Sequence, residues 1–239
     1  MGEMTDIFEK YGDEPTIMDA VELAKESESE MKVVGGRDWT GNKRTTWATL
    51  GATNHTDKER AENDFYESPE EAITRLLAVE ELRPTEGSVV WECACGRGAL
   101  SRPLQAAGYT TYDTDLVNRG WGASGMDFLK SDRPFPTEMN MTILTNPPFK
   151  YSLEFCKHAV DLMAEGERTY MLLRLSFLEG QKREKWFNSG TSGLRYVAVF
   201  GKRITCNRNG IDCDGKGAVA YAWFCFEKGF KGRPEILWI

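Results

Sequence analysis

The stretch Ser88-Val89-Val90-Trp91-Glu92-Cys93-Ala94-Cys95-Gly96-Arg97-Gly98-Ala99-Leu100 decides the fold. Val89 to Trp91 is the unbroken apolar run of a strand buried on both faces. An acid ends it, and Gly96-Arg97-Gly98 then opens a helix expected from Ala99 to Ala107, with Gly108 as its stop. Glycines at such a turn let the backbone approach a ligand closely, and the helix N-terminus presents free N–H groups. The third glycine of the dinucleotide fingerprint is absent, which argues against a nicotinamide nucleotide. Glu92, at the strand end, suits a cationic ligand better than a pyrophosphate.

Working outward, the next strand, Thr110 to Leu116, ends in acids about twenty residues past the glycines, where an α/β nucleotide fold places a carboxylate on ribose hydroxyls. Asp113 and Asp115 share a face by period-2 alternation, so both qualify. Gly125-Met126-Asp127-Phe128 adds an acid able to accept from an adenine amino group. Further on, Met141-Thr142-Ile143-Leu144 runs into Thr145-Asn146-Pro147-Pro148-Phe149. A planar exocyclic amine is a poor nucleophile because its lone pair is delocalised into the ring. If the Asn146 side-chain oxygen and the Pro147 carbonyl each accept one of its N–H bonds, the lone pair localises toward an incoming methyl group. Phe149 has the shape to stack on a base turned out of a duplex. A strand followed by a Pro-Pro turn needs no function by itself; the acids that precede it in order give it weight.

In these motifs the chain resembles the class I S-adenosylmethionine-dependent methyltransferases, and among them the enzymes that modify N6 of adenine in DNA. Glu92 to Gly98 is similar to their cofactor loop, with Cys93 where proline is common, and Asn146-Pro147-Pro148-Phe149 is similar to their catalytic tetrapeptide. The resemblance covers roughly residues 43–239. Leu50 to His55, Asp64 to Pro69, Phe177 to Arg183 and Trp223 to Gly229 resemble small methyltransferases of bacteriophages and prophages. It implies S-adenosylmethionine as cofactor, held by Tyr66, Ser68, Glu92, Cys93, Ala94, Gly96, Gly98, Asp115 (or Asp113), Asp127, Phe128 and Asn146. It also implies catalysis by Asn146, Pro147, Pro148 and Phe149, with direct attack by the amine and no covalent enzyme intermediate.

Composition agrees. The 239 residues suffice for one sizeable domain. No apolar run approaches twenty residues and the N-terminus has no secretory pattern, so a cytoplasmic protein without a membrane span is expected. Six irregularly spaced cysteines read as reduced thiols. Cys206 and Cys213, with only His55 and His158 elsewhere, do not make a metal-binding spacing, so no metal is expected. The net charge of −7 is concentrated in residues 1–40, which hold 11 acids and 4 bases, while the rest is balanced. Within residues 179–239, 11 bases face 6 acids. Lys182, Arg183, Arg203 and Arg208 are the candidates for phosphate contacts, most simply on double-stranded DNA.

Residues 1–40 read as an acidic extension with a short amphipathic helix around Ile17 to Ala24 and a flexible linker, open to a protein partner. Residues 41–239 read as a single domain, entered through an ordered arm and a helix from Glu70 to Glu80. Strands are expected near 88–94, 110–116, 141–146, 169–176, 195–201 and 219–227, alternating with helices. The fold class is α/β: a Rossmann-like, seven-stranded methyltransferase sheet, mostly parallel with an antiparallel last strand, and helices on both faces. Target selection falls to a small segment around 178–218, with the 37–66 arm as a second contributor; Trp186, Asn207 and Asn209 join Arg203 and Arg208 as candidates. Three other readings stand beside methylation of adenine N6 in DNA: an RNA base methyltransferase, a protein glutamine methyltransferase, and a catalytically idle cofactor-binding protein.

Overall fold

A computed structural model describes residues 65–208 and 219–239. These residues belong to one compact unit, Asn54–Ile239. The helix and linker expected in residues 1–40, the arm up to residue 64, and Asn209 and Cys213 lie outside the described residues.

A short strand β1 (Tyr66–Glu67) leads into helix α1 (Glu71–Ala78). Then follow β2 (Val89–Glu92), α2 (Ser101–Ala106), β3 (Thr110–Asp115), the two-residue β4 (Ala123–Ser124) and β5 (Met141–Thr145). After β5 come α3 (Ser152–Leu162), β6 (Arg168–Arg174), α4 (Gln181–Phe187) and β7 (Leu194–Val199). The last strands are β8 (Asn207–Arg208), β9 (Tyr221–Glu227) and β10 (Glu235–Trp238).

The main sheet has the order β10-β7-β9-β6-β5-β2-β3-β4. Only β9 runs against the others, pairing antiparallel with both β6 and β7. The sheet is mostly parallel with helices on both faces, as expected of the α/β class, but it holds eight strands rather than the seven expected. Beyond the six strand positions expected lie β4 at one edge and β10 at the other; β10 pairs parallel to β7, so the reversed strand is not the last one. Glu235–Trp238 follows a Gly-Arg-Pro step and lacks alternation, so it reads as a tail; the free edge of β7 makes it a strand.

Alternation along the central strands divides the interior in two. Met171 and Leu173 of β6, with Phe224 and Phe226 of β9, face α3, which answers with Phe155, Cys156, Ala159 and Val160 at helical spacing. Tyr170 and Leu172, with Trp223 and Cys225, face the other way, toward Ala72, Ile73 and Leu76 of α1. Each large side chain fully buried in this way contributes roughly 1.5–3 kcal/mol. Polar anchors fix the register of helix on sheet: the Trp223 indole N–H donates to the Ala72 carbonyl at 2.9 Å. At the opposite end of the sheet from the glycine loop, Arg133 grips Glu167 through two bonds of 2.6 and 2.8 Å, and Glu167 also accepts from the Met141 N–H. This arrangement locks the start of β5 to the start of β6. It leaves the carboxyl ends of β2, β3 and β5 at the other end, open to form a crevice.

Candidate active site

At those carboxyl ends lies a cavity of about 790 Å3. The glycine loop forms one wall. Gly96 has φ +57°, and a β-carbon there would stand 2.6 Å from the Phe65 ring, so the residue must be glycine for the lead-in segment to close over it. The Gly96 N–H donates to Asp115 at 2.8 Å, and the other Asp115 oxygen accepts from the Val117 N–H at 2.8 Å. The Asp115 carboxylate, nearly buried, therefore ties two loops together and still faces the cavity with its remaining lone pairs.

Asp113 and Asp115 are now separable. Asp113 accepts from Ser101 at 2.7 Å, Thr111 at 3.1 Å and the Trp121 indole at 2.9 Å, and it does not line the cavity. Gly98 likewise serves structure: a β-carbon there would stand 2.5 Å from the Trp121 ring, and the residue lies outside the lining. Gly98 belongs to the packing of Trp121 on the loop rather than to the cavity wall.

Tyr66, Ser68, Glu92, Cys93, Ala94, Gly96, Asp115, Asp127, Phe128 and Asn146 all line the cavity, together with Pro147 and Pro148. Burial pushes the Glu92 carboxyl up to about 8, against a hydrogen bond from the Ala94 N–H at 3.3 Å. Burial likewise raises the Cys93 thiol and pushes Cys95 up to about 12, so both stay protonated at neutral pH. Asp127 caps the 3-10 turn Phe128–Lys130 by accepting from the Leu129 N–H, and its pairing with Lys130 at 2.8 Å lowers its pKa. Phe128 packs edge-on to Trp91 and against Phe155, closing the floor.

Asn146 follows directly on β5. Its amide nitrogen donates to the Tyr66 carbonyl at 2.8 Å and to the Ser68 hydroxyl at 3.0 Å. A backbone carbonyl can only accept, so the orientation of the amide is fixed. That leaves Asn146 Oδ1 buried and without a hydrogen-bond partner. An orphaned buried acceptor costs roughly 1–3 kcal/mol, and here Asn146 stands on the wall of the 790 Å3 cavity. The Pro148 carbonyl is taken by the Tyr151 N–H at 2.9 Å.

Phe149 sits differently from its expected open stacking position. Its ring packs against Tyr66 (centroids 5.0 Å apart) and Tyr221 (5.9 Å), with the Arg174 guanidinium 4.5 Å above it, and it does not line the cavity. The most exposed aromatic of the cavity lining is instead Tyr151, at 43%.

Lys182, Arg183 and Arg203 lie outside the cavity lining. Lys182 and Arg203 are exposed, and Arg183 folds back, donating to the Glu179 carbonyl with its guanidinium 5.2 Å from the Phe177 ring. Arg208 pairs in register with Tyr66 across β8 and β1, which brings the 200–208 segment to the lead-in strand; its side chain lies outside the described part. The cations that do line the cavity are Arg97, Arg119, Lys130 and Lys150. Arg119 stacks 4.2 Å from the Phe65 ring. An arginine inside the glycine loop was the one signal in the sequence for this rim.

No family model matches the chain, and no curated protein matches it. Solved structures do. A protein provisionally named a hemolysin from Lactococcus lactis is 11% identical, with 70% of this chain and 87% of that one covered and a TM-score of 0.47. A TehB-like S-adenosylmethionine-dependent methyltransferase from Corynebacterium glutamicum is 13% identical, covering 78% and 96%, with a TM-score of 0.42. The Type ISP restriction-modification enzyme LlaGI, solved with a DNA substrate mimic, is 10% identical, covering 99% of this chain and 32% of that one, with a TM-score of 0.49. At such identities and TM-scores these likenesses carry no argument about chemistry, which rests on the geometry of the cavity.

Proposed function

We propose that the protein transfers a methyl group from S-adenosylmethionine to the exocyclic N6 of adenine in DNA. The observation that carries this reading is Asn146 Oδ1: a buried acceptor with no partner, held in orientation by Tyr66 and Ser68, on the cavity wall. An amine N–H is the group that satisfies it, and the Pro147 carbonyl is the candidate acceptor for the second N–H.

The residues present fit the cofactor. The volume lies within the range of about 300–1,000 Å3 usual for small-molecule sites. Glu92 offers a buried carboxyl to a cationic amine, and Asp115 offers lone pairs to ribose hydroxyls. Asp127 and the Phe128 turn, which line the same cavity, would take the adenine ring. S-adenosylmethionine supplies a methyl group activated on a positive sulfur. The protein's share is to exclude water, to hold the amine lone pair toward that methyl group, and to stabilise the charge that develops on the nitrogen. Donors and acceptors preorganised in this way are worth on the order of 100-fold or more in rate each. The two cavity cysteines, protonated at neutral pH, have no part in a direct transfer.

Nucleosides from DNA and RNA of cells expressing the chain, separated by mass spectrometry, test the reading. N6-methyladenine in DNA, absent from cells carrying Asn146→Ala, is the expected result. Methylation confined to RNA or protein would keep the cofactor site and replace the target.

A further inference from the structure

We infer that Arg174 forms an anion subsite beside Asn146-Pro147-Pro148-Phe149 that receives a phosphate next to the target nucleotide. The inference rests on the proposed transfer to a base in nucleic acid and names a contact that this reading leaves unassigned.

Arg174 is the last residue of β6, at the same rim of the sheet as Asn146, and stands in register opposite Tyr221 on β9. Its guanidinium lies 4.5 Å over the Phe149 ring, and the Tyr221 hydroxyl lies beside it within hydrogen-bonding reach. Its Nε is buried and has no hydrogen-bond partner. Arg195 Nε is likewise unpartnered, so the contrast with the other arginines anchored in or beside the sheet lies in the ion pairs. Arg133 faces Glu167 at 2.6 Å, Arg168 faces Glu227 at 2.8 Å and Arg195 faces Glu227 at 2.6 Å. Arg174 makes no ion pair among the described residues.

Among the described residues its neighbours supply no hidden counter-charge. Burial raises the Tyr221 hydroxyl well above the usual range and pushes the nearby Cys206 thiol up to about 12, so both are neutral at neutral pH. A half-buried guanidinium that no described carboxylate faces has lost solvation with little return, since an aromatic face is a weak substitute for a counter-ion. Such a charge is placed to meet an anion from outside. A guanidinium held on a ring is a preorganised planar fork, the geometry that matches a phosphate. The base to be methylated is neutral, and the anions closest to it along a strand are its own flanking phosphates. Because Phe149 follows Pro148 directly, an anion on Arg174 lies one residue from the cavity wall that would hold the target amine.

The test uses the full chain and a duplex that the wild type methylates, with the phosphate on either side of the target adenine replaced in turn by a neutral methylphosphonate. For the wild type, one of the two replacements should weaken binding about tenfold. It should also lower the slope of log Kobs against log[salt] by roughly 0.9. Arg174→Gln should reproduce both changes on the natural duplex and be insensitive to that same methylphosphonate. Arg174→Lys, which keeps the charge, should keep the salt slope. Cofactor affinity and melting temperature, followed in parallel, should stay unchanged. A wild type indifferent to both neutral linkages overturns the inference even if Arg174→Gln does not fold. An Arg174→Gln protein that binds weakly with the wild-type salt slope makes the residue a rivet for Phe149, and overturns it too. If the wild type methylates no nucleic acid, the proposed function falls and this subsite with it.

Discussion

The Asn146 side-chain amide donates to the backbone carbonyl of Tyr66, 80 residues earlier in the chain, at 2.8 Å. The lead-in strand β1 therefore sets the orientation of the residue proposed to accept the target amine. Tyr66 and Ser68, expected from resemblance to hold one end of the cofactor, also hold the catalytic candidate.

Ser68→Ala removes the second acceptor of the Asn146 amide and leaves the first. The expected loss is about 0.5–1.5 kcal/mol of positioning, read as a fall of up to about tenfold in kcat with cofactor affinity little changed. Steady-state kinetics with calorimetry on the same preparation distinguishes this from a cofactor role. A raised cofactor Kd with unchanged kcat would assign Ser68 to the cofactor instead.

Asp115→Ala and Asp113→Ala should separate cleanly. The first removes the cavity-facing carboxylate and should weaken S-adenosylmethionine binding by roughly 1.5–3 kcal/mol, the range for a hydrogen bond to a charged group. The second unties Ser101, Thr111 and Trp121 from one another, so it should lower the melting temperature by several degrees. Calorimetry and thermal melts on both variants check the pair; equal losses of affinity would refute the division.

Glu92 makes stability depend on pH in a predictable direction. Its folded-state pKa of about 8 lies above that of an unfolded carboxyl, so the folded state binds the extra proton. The ligand-free protein should therefore lose stability as pH rises from about 4.5 through 8. Glu92→Gln should flatten that limb, and it should also weaken binding of a cationic cofactor. Melting curves at half-unit pH steps test this; a wild type whose stability rises over that interval through this group contradicts it.

Glycine substitutions grade the loop. Gly87→Ala meets open space and bears only the strain of φ +74°, about 1–2 kcal/mol. Gly98→Ala should cost clearly more, because a β-carbon meets the Trp121 ring at 2.5 Å. Gly96→Ala should displace Phe65 and impair cofactor binding out of proportion to stability. Equal effects at the three positions would show that the close approaches do not matter.

The central sheet and most of the cavity wall were legible because each strand ends in chemistry the pattern marks: Glu92 and Asn146 follow largely apolar runs, and Asp115 closes a strand about twenty residues past the glycines. What escaped has no periodicity to read. β4 and the β1–β8 pair are two residues per strand, and Tyr66 meets Arg208 only through tertiary contact. Lys182 and Arg203 stood out as part of a basic segment, yet local charge says nothing about which side chain reaches the cavity; Arg97 and Arg119 do so from the loops after β2 and β3. Phe149 was legible as an aromatic but not as the partner of Tyr66, Tyr221 and Arg174, which come from three distant strands.

The central claim is that Asn146 Oδ1 waits for the target amine, and single-turnover methylation by Asn146→Ala beside the wild type tests it most directly. With purified duplex DNA and saturating labelled S-adenosylmethionine, the wild type should form N6-methyladenine. Asn146→Ala should be slower by on the order of 100-fold or more, while binding the cofactor with nearly unchanged affinity. An Asn146→Ala enzyme that methylates adenine at the wild-type rate would contradict the account.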